Sequence, residues 1–319
     1  MVNSDVIRVS EILGISVRNL YQFSNNQAKH YHLASIPKKS GGVRELKVPS
    51  RYLKHIQRVI LDKLLYGLPV SEYAKAYLSE AKLIDNALPH ISKEKVLKLD
   101  IKGFFDSIDC DMVCSVFSHL GFESAATSLL ANICTLEGVL PQGAPTSPHI
   151  ANLVMTYFDN RVGDFCKARN VAYTRYCDDM TFSGSFDEKE IIRFVEHHLL
   201  KQGFELNHKK TACILSSQQQ KVTGIVVNEN PQISSAERRK IRQEVHYLSK
   251  YTVLSCMRKM DIHTTQIEYL TSLQGRISFA LQINPDDKKI REYYDIVHAL
   301  LKKKTAEKRK RIRAARMKY

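Results

Sequence analysis

The spacing of apolar residues predicts helices in several parts of the chain. Apolar residues recur every three or four positions over 51–66, as in an amphipathic helix. The same spacing follows Ser147, a favoured capping residue, and Pro148, which suits the first helical position, so one long helix is predicted there. Ser16 is suited to begin the second of two short helices within 5–25. Further helices are predicted over 188–202 and from 235 onward.

Alternating apolar and polar residues predict strands between these helices. The segment VLKLD alternates as far as Asp100 and then runs into a turn. The runs VAYTRY and MTFSG flank Asp178 and Asp179, which places these two aspartates at a bend. Gly41-Gly42 fits a two-residue hairpin turn, and KVTGIVV is predicted to form one strand. Helices and antiparallel strands mix without a regular β–α–β order, so the predicted fold class is α+β.

Composition fits a cytoplasmic globular protein with no membrane partner. With 319 residues, 44% of them hydrophobic, the chain can form one large or two modest globular units. No apolar run reaches the ~18 residues of a membrane helix, and the N-terminus lacks the apolar segment of a signal peptide. The seven cysteines form no CxxC motif, which suits reduced thiols. Cys110, Cys114 and His119 have a faintly zinc-like spacing, but no second ligand cluster follows, which favours buried helical cysteines.

A formal net charge of +15 indicates a polyanionic partner, either nucleic acid or an anionic membrane surface. Much of the charge lies in residues 302–319, which contain ten lysines and arginines against the single acid Glu307. A solvated helix end is the plain interpretation of this segment. Its apolar residues are too few and too small to enter a membrane, so contact with phosphates is the better functional interpretation. The short helices near the N-terminus resemble half a helix-turn-helix, which leaves DNA binding as a weaker alternative.

Three aspartates give the chain its candidate chemistry. Asp178 and Asp179 could form a polar turn or bind a divalent metal, and the surrounding residues YCDDMTFSG do not distinguish the two. Nucleotidyl transfer uses two Mg²⁺ ions about 4 Å apart, and such ions bind carboxylates on rigid strands. Asp100 would supply a third carboxylate if the fold brings it to Asp178. The acids just beyond it are predicted to lie at a helix N-terminus, and they are Asp106, Asp109 and Asp111.

Five segments together resemble the palm motifs of reverse transcriptases and occur in the same order. They are LKLDIKGFFDSI, LPQGAPTSPHIANL, YCDD, GFELNHKKT and KVTG, and the resemblance covers roughly residues 36–230. NALPH at 86–90 and the VTG at 222–224 are similar to elements of the retron branch. The resemblance implies a right-hand polymerase with fingers, a palm containing an antiparallel sheet, and a helical thumb. Its parts would be an N-terminal helical extension (1–35), fingers and palm (36–230), and a thumb with a basic tail (231–319).

The resemblance also implies roles for single residues. Asp100, Asp178 and Asp179 would bind two Mg²⁺ ions and catalyse DNA synthesis from dNTPs. Phe105 would stack under the incoming sugar and exclude a 2′-OH, with a place in the core as the alternative. Cys177 is expected to pack beneath the turn. The nucleotide would be held by Arg44 with Lys38 or Lys39, by Gln142 and Gly143, and by either Lys209 or Lys210 near the leaving pyrophosphate.

Two further motifs are assigned to nucleic acid by the resemblance. Val222, Thr223 and Gly224 would hold the end of the primer. Asn86 and His90 would contact the structured RNA or its product, whereas from the sequence alone they could equally form a turn and a capping or packing residue.

The function implied is that of a retron reverse transcriptase. Such an enzyme copies a cognate non-coding RNA (msr/msd), primes from a 2′-OH of that RNA, and makes an RNA-linked single-stranded DNA (msDNA). A role in anti-phage defence with a separate effector protein is implied by resemblance only. The alternatives are another compact bacterial reverse transcriptase, of group II intron or diversity-generating type, and a non-catalytic RNA-binding scaffold. NALPH and the lack of a maturase-like C-terminal segment disfavour the first, and the complete set of three aspartates disfavours the second.

Overall fold

The computed structural model describes residues 3–37 and 41–316, which form two compact units. In residue numbers, the first unit is the chain up to 89 with 94–215, and the second is 90–93 with the chain from 216 onward. The predicted division into extension, fingers with palm, and thumb follows the functional parts of a polymerase, and it stays a prediction.

Helices surround an antiparallel sheet in the first unit. Its elements up to the centre of the sheet are α1 (Ser4–Leu13), α2 (Val17–Asn25), β1 (Tyr31–Pro37), β2 (Val43–Pro49), α3 (Arg51–Ile60), α4 (Leu83–Ala87) and β3 (Lys95–Lys102). The remaining elements are α5 (Cys110–Ser118), α6 (Ser124–Cys134), α7 (Ser147–Val154), α8 (Thr156–Lys167), β4 (Ala172–Tyr176), β5 (Asp179–Gly184), α9 (Glu188–Lys201), β6 (Glu205–Leu206) and β7 (Ala212–Leu215).

The N-terminal helices form as predicted. The hydroxyl of Ser16 accepts a hydrogen bond from the Asn19 amide at 3.4 Å and so caps α2. Both α1 and α2 pack against α6, which anchors the start of the chain on the first unit. The helix predicted over 51–66 also forms, although its last turn, Leu61–Leu65, has π-helical hydrogen bonding.

The sheet is built around β3. Strand β5 pairs with one edge of β3, β4 pairs with the outer edge of β5, and β6 and β7 share the other edge of β3. Successive residues of a strand point to opposite faces, and both Val96 and Leu97 are fully buried, so both faces of β3 are covered. The register places Asp100 opposite Asp179. A central strand thereby carries a carboxylate to the end of the β4–β5 hairpin.

The long helix predicted after Ser147 is interrupted. Helix α7 ends at Val154 and α8 begins at Thr156, and Met155 between them has φ −80° and ψ −3°. The residue preceding the helix is Thr146, so Ser147 is its first residue and not its cap. The prediction was therefore correct for the helical content and wrong for continuity and for the cap.

One predicted turn and one predicted strand also differ from the structure. The pairing of β1 with β2 ends at Pro37 and Val43, so the connection spans five residues, 38–42, and is not a two-residue Gly41-Gly42 turn. The segment KVTGIVV forms a hairpin and not one strand, since Thr223 and Gly224 have φ values of 47° and 86°. Positive φ at both central residues is the geometry of a tight type I′ hairpin turn.

The second unit contains that hairpin and, as predicted, mainly helices from residue 235. Its elements are β8 (Lys221–Val222), β9 (Ile225–Val226), α10 (Ser235–Lys250), α11 (Val253–Lys259), α12 (Gln266–Ile283) and α13 (Lys288–Arg316). An ion pair between Arg276 of α12 and Glu244 of α10 measures 2.7 Å and joins these helices. Over residues 3–37 and 41–316, no helix combines the length and apolar character needed to span a bilayer.

Candidate active site

The three predicted aspartates lie together at one end of the sheet. Tyr176 pairs with Asp179, so Cys177 and Asp178 form the two-residue link between β4 and β5, here named the acidic turn. The Ile101 amide donates to the Asp178 carbonyl at 3.1 Å, and Asp100 lies opposite Asp179. Backbone hydrogen bonding between β3 and the hairpin therefore brings together carboxylates that are far apart in the sequence.

Asp100 is buried and its carboxylate has two donors. It is 4% exposed and accepts hydrogen bonds from Asn207 Nδ2 at 2.9 Å and from Lys210 Nζ at 2.7 Å. The Asn207 amide also donates to the Asp100 carbonyl at 2.8 Å, which fixes the segment after β6 against β3. The hydrogen bond to Asp100 is the main reason that the pKa of Lys210 is raised. Of the two candidate lysines, Lys210 therefore faces the aspartates, whereas Lys209 is exposed and outside the cleft.

The aspartates of the hairpin carry excess negative charge. Partial burial, followed by the charges of Asp178 and Asp100, raises the pKa of Asp179, while Lys98 and Lys210 oppose the shift. Carboxylates crowded in this way are the ligands that Mg²⁺ prefers. In the described part of the chain, however, no group of three or more His, Cys, Asp or Glu side chains is arranged to hold a metal. The two oxygens of Asp100 instead accept hydrogen bonds from Asn207 and Lys210.

A cleft of about 750 Å³ opens over these carboxylates. It brings together predicted residues from five separate segments of the first unit, and we call it the acidic cleft. The predicted residues that line it are Arg44, Asp100, Phe105, Gln142, Asp178, Asp179 and Lys210. Lys38 and Lys39, predicted to assist Arg44, lie outside the described residues.

Gly143 has a structural reason to be glycine. Its φ is 126°, and a Cβ there would lie 2.8 Å from the Lys47 carbonyl oxygen. The neighbouring Gln142 carbonyl accepts a hydrogen bond from the Lys47 amide at 2.8 Å, so this loop lies directly against β2. That contact holds the strand carrying Arg44 at the cleft. The predicted contact of Gly143 with nucleotide or template stays a prediction.

The two neighbouring phenylalanines have different surroundings. Phe104 is 4% exposed and belongs to the core. Phe105 is half-buried, lies against the Phe104 ring with centroids 5.4 Å apart, and lines the acidic cleft. Phe105 thus packs against the core and faces the cleft, and its role as a gate at the nucleotide sugar stays a prediction.

The residues assigned to RNA and primer do not line the acidic cleft. Asn86 is buried at the end of α4, and its Oδ1 has no hydrogen-bond partner among the described residues. His90 is also buried and belongs to the second unit, as do Val222 and the Thr223-Gly224 turn. Burial of His90 accords with its packing alternative, Asn86 lies in α4 and not in the turn considered for it, and all five assignments to nucleic acid stay predictions. The five are Asn86, His90, Val222, Thr223 and Gly224.

Two residues not singled out from the sequence, Tyr77 and Arg175, support the acidic turn at Cys177. Cys177 has φ 61°, an unfavourable value for a non-glycine residue, and it is buried beneath the turn as predicted. Its thiol accepts a hydrogen bond from Tyr77 Oη at 3.4 Å, and burial raises its pKa to about 12. Tyr77 lines the cleft, and Arg175 donates to the Cys177 carbonyl at 2.9 Å. No local pattern could have indicated Tyr77, but an arginine inside an apolar strand was a visible signal.

Comparison with known proteins places these features in a family context. The profile of the reverse transcriptase (RNA-dependent DNA polymerase) family matches residues 36–269. The chain is 32% identical over 302 residues to the Retron Mx65 reverse transcriptase of Myxococcus xanthus. The aligned region covers 87% of this chain and 68% of that protein. It is 30% identical over 301 residues to the Retron Ec86 reverse transcriptase of Escherichia coli, with 92% and 89% covered. A solved Candida albicans telomerase in complex with a fragment of telomeric RNA aligns with a TM-score of 0.47 and 11% identity, over 88% of this chain and 65% of that one.

Proposed function

The chain belongs to the reverse transcriptase (RNA-dependent DNA polymerase) family, and we propose that its acidic cleft is where deoxynucleotides join a primer on an RNA template. Retron reverse transcriptases match most of its length, and the chain is an RNA-directed DNA polymerase of retron type. One observation carries the assignment of the cleft. Asp100 lies opposite Asp179 on neighbouring strands, at a cleft that also contains Arg44 and Lys210.

Asp100, Asp178 and Asp179 would hold two Mg²⁺ ions. When bound, the ions would stabilise the negative charge that develops on the attacking and leaving oxygens. The raised pKa of Asp179 supports this role, because a cation would offset the repulsion that raises it. Lys210 would have to release Asp100 first, since its ammonium group occupies the carboxylate oxygen that a metal would use.

Other residues of the cleft would bind and orient the nucleotide. Arg44 would hold the triphosphate, because a guanidinium group matches the geometry of phosphate oxygens. Phe105 would stack under the sugar and clash with a 2′-OH, which favours dNTPs over rNTPs. Gln142 and Gly143 would contact the nucleotide and the template. Lys210, once released from Asp100, would lie near the leaving pyrophosphate.

The template would be a structured non-coding RNA (msr/msd) encoded with the enzyme. Synthesis would begin from a 2′-OH of that RNA and yield msDNA, a single-stranded DNA linked to RNA. The support is the match to retron reverse transcriptases together with NALPH and Val222-Thr223-Gly224. The net charge of +15 suits a nucleic-acid partner. We extend the proposal to a cytoplasmic enzyme in anti-phage defence that works with a separate effector protein.

Primer extension on an RNA template tests the role of the cleft. With Mg²⁺ and dNTPs, we expect Asp178→Asn to lower the rate at least about 100-fold, the usual scale for losing a group that stabilises transition-state charge. Asp111→Asn is the matched control, because Asp111 is an exposed carboxylate at the N-terminus of α5. Equal rates of primer extension by Asp178→Asn and the parent would contradict the assignment of the acidic cleft as the active site. An inactive parent would favour the RNA-binding scaffold.

A separate experiment tests the retron mechanism. Nucleic acid that copurifies with the enzyme is sequenced before and after treatment with a debranching enzyme. The expected species is a branched molecule in which DNA is joined to a 2′-OH of RNA. If only linear RNA and cDNA are found, the self-priming proposal is wrong, and a group II intron or diversity-generating type becomes the better description.

A further inference from the structure

A fully buried ion pair lies beside the acidic turn. Arg175, in β4, and Asp159, in α8, both have side chains with 0% exposure. Arg175 binds the carboxylate through two nitrogens, with Nη2 2.6 Å from Oδ2 and Nε 2.8 Å from Oδ1. Tyr173 Oη also donates to Asp159 Oδ1 at 2.8 Å. The carboxylate thus accepts three hydrogen bonds while it is completely shielded from water.

The remaining guanidinium nitrogen of Arg175 holds the turn itself. Nη1 donates to the Cys177 carbonyl at 2.9 Å and to Asn152 Oδ1 at 3.2 Å. Cys177 is the residue with positive φ, and it directly precedes Asp178. The direction of its carbonyl therefore depends on a side chain that is itself fixed by Asp159.

The ion pair also joins the turn to distant segments. Asn152 of α7 donates from Nδ2 to the Ala76 carbonyl at 2.8 Å. The backbone of Arg175 accepts from the Lys75 amide and donates to the Tyr73 carbonyl, both at 2.8 Å. The Tyr73 ring packs against Gly163 of α8 so closely that a Cβ on Gly163 would lie 2.0 Å from Cε2 of the ring. Hydrogen bonds and packing thus connect one guanidinium group with helices α7 and α8, strand β4 and the segment 73–77.

Stability alone does not account for such a pair. The cost of removing two charges from water offsets most of their attraction, and apolar replacements of similar volume are often as stable. A network in which nearly every donor and acceptor is used instead fixes one arrangement of the groups it holds. Lysine could not do the same, because an ammonium group lacks the planar fork that reaches several acceptors at once.

We propose that Arg175 and Asp159 form a positioning pair for the acidic turn. The pair holds the Cys177 carbonyl and so sets where the carboxylates of Asp178 and Asp179 lie relative to Asp100. On the other side of the turn, the Ile101 amide holds the Asp178 carbonyl at 3.1 Å. The turn is thus fixed from two directions. This inference rests on the proposed catalytic role of Asp178 and Asp179.

The decisive variant is the double substitution Arg175→Met with Asp159→Leu. It removes both buried charges together, so no unpaired charge stays in the core, but it also removes the donor to the Cys177 carbonyl. We expect each single substitution to lower the unfolding temperature strongly and the double variant to recover most of that loss. Its kcat for primer extension should stay about 100-fold below that of the parent, the scale of an ~1 Å misplacement of catalytic groups. KM for dNTP should change little, because Arg44 is untouched.

A parental kcat in the double variant would overturn the proposal, since the pair would then be only structural. If the double variant does not fold, Arg175→Lys decides. It keeps the charge beside Asp159 but cannot also hold the Cys177 carbonyl, so a reduced kcat is expected and a parental kcat would contradict the proposal. Arg169→Met is the matched control, because Arg169 pairs with Glu190 at 2.9 Å on the surface, and it should behave like the parent. Asp178→Asn, assayed in parallel, shows separately whether the proposed active site is correct.

Discussion

Two hairpin turns of this molecule use left-handed backbone in different ways. The Thr223-Gly224 turn between β8 and β9 has positive φ at both residues and places glycine second, as tight hairpin turns usually do. The acidic turn between β4 and β5 has positive φ at Cys177, where glycine would be expected, and follows it with Asp178.

The difference lies in what stabilises each turn. In the Thr223-Gly224 turn, glycine supplies one of the two left-handed residues, although Thr223 at φ 47° is itself unfavourable, and a Cβ on Gly224 would meet nothing within 4 Å. The acidic turn contains no glycine, and side chains from other segments hold it, including Tyr77 and Arg175. Unfavourable backbone that persists because its surroundings determine it is characteristic of functional sites. The acidic turn therefore depends on long-range support more than on its own sequence.

The largest loss of primer extension is expected from replacing a side chain that comes from a distant segment and contacts the carboxylates directly. Lys210→Met removes the cation bonded to Asp100, and we expect primer extension to fall about 100-fold if Lys210 acts at the leaving pyrophosphate, the lower end of the range of proton-transfer catalysis. Single-turnover extension rates measure this. Lys209→Met is the matched control, since Lys209 is exposed and outside the cleft, and it should lose far less. Equal losses in both variants would contradict the assignment of Lys210.

A second test contrasts two glycines that both have positive φ. Gly143→Ala should destabilise the protein by at least about 2 kcal/mol, because the new Cβ would add a contact of 2.8 Å with the Lys47 carbonyl to the backbone strain. Gly224→Ala has open space and should cost only the left-handed penalty of about 1 kcal/mol. Chemical denaturation of both variants measures the difference. Equal costs would show that the approach of β2 to the Gln142-Gly143 loop contributes nothing.

The third test asks whether Cys177 is strained. At ordinary positions glycine is the less stable replacement, by about 1 kcal/mol relative to alanine. At Cys177 the order should reverse: both variants lose the buried thiol, but Cys177→Gly also removes the left-handed penalty and should be about 1 kcal/mol more stable than Cys177→Ala. Equilibrium unfolding measures the order. If alanine is the better replacement, the surroundings do not hold Cys177 against its preference.

What the sequence revealed follows the same distinction between local and long-range causes. Helix-capping residues and apolar spacing predict α2, α3 and α9, and motif resemblance predicts that Asp100 lies with Asp178, as the register shows. Which of Lys209 and Lys210 faces the aspartates depends on how the 3₁₀ turn His208–Lys210 lies against β3, and no local pattern encodes that. The Thr223-Gly224 turn was missed because threonine in the first position of a type I′ turn has no strong signature. The break at Met155 likewise left no trace in the apolar spacing.

The smallest expected effect concerns the helix beneath the acidic turn. Burial lowers the pKa of His149 in α7, although the hydrogen bond between its Nε2 and the Leu65 carbonyl, 3.0 Å long, opposes the shift. At a pH where His149 is neutral in both the folded and the unfolded chain, its titration does not change the free energy of unfolding. As the pH falls below the pKa of the unfolded chain, about 6.5, the unfolded chain binds the proton first. The free energy of unfolding therefore falls until the pH reaches the lower pKa of the folded state.

Because α7 also carries Asn152, this loss should reach the acidic turn and spare the other hairpin. Hydrogen exchange, corrected for its intrinsic pH dependence, should show protection of 172–184 weakening as the pH falls from 7 toward 5, with 221–226 unchanged. His149→Gln should remove the pH dependence, since glutamine does not titrate in this range. A uniform loss over both hairpins, or the same loss in His149→Gln, would mean that other groups control the acid sensitivity. Helix α7 would then contribute less to the stability of the acidic turn than the hydrogen bonds through Asn152 and Arg175 indicate.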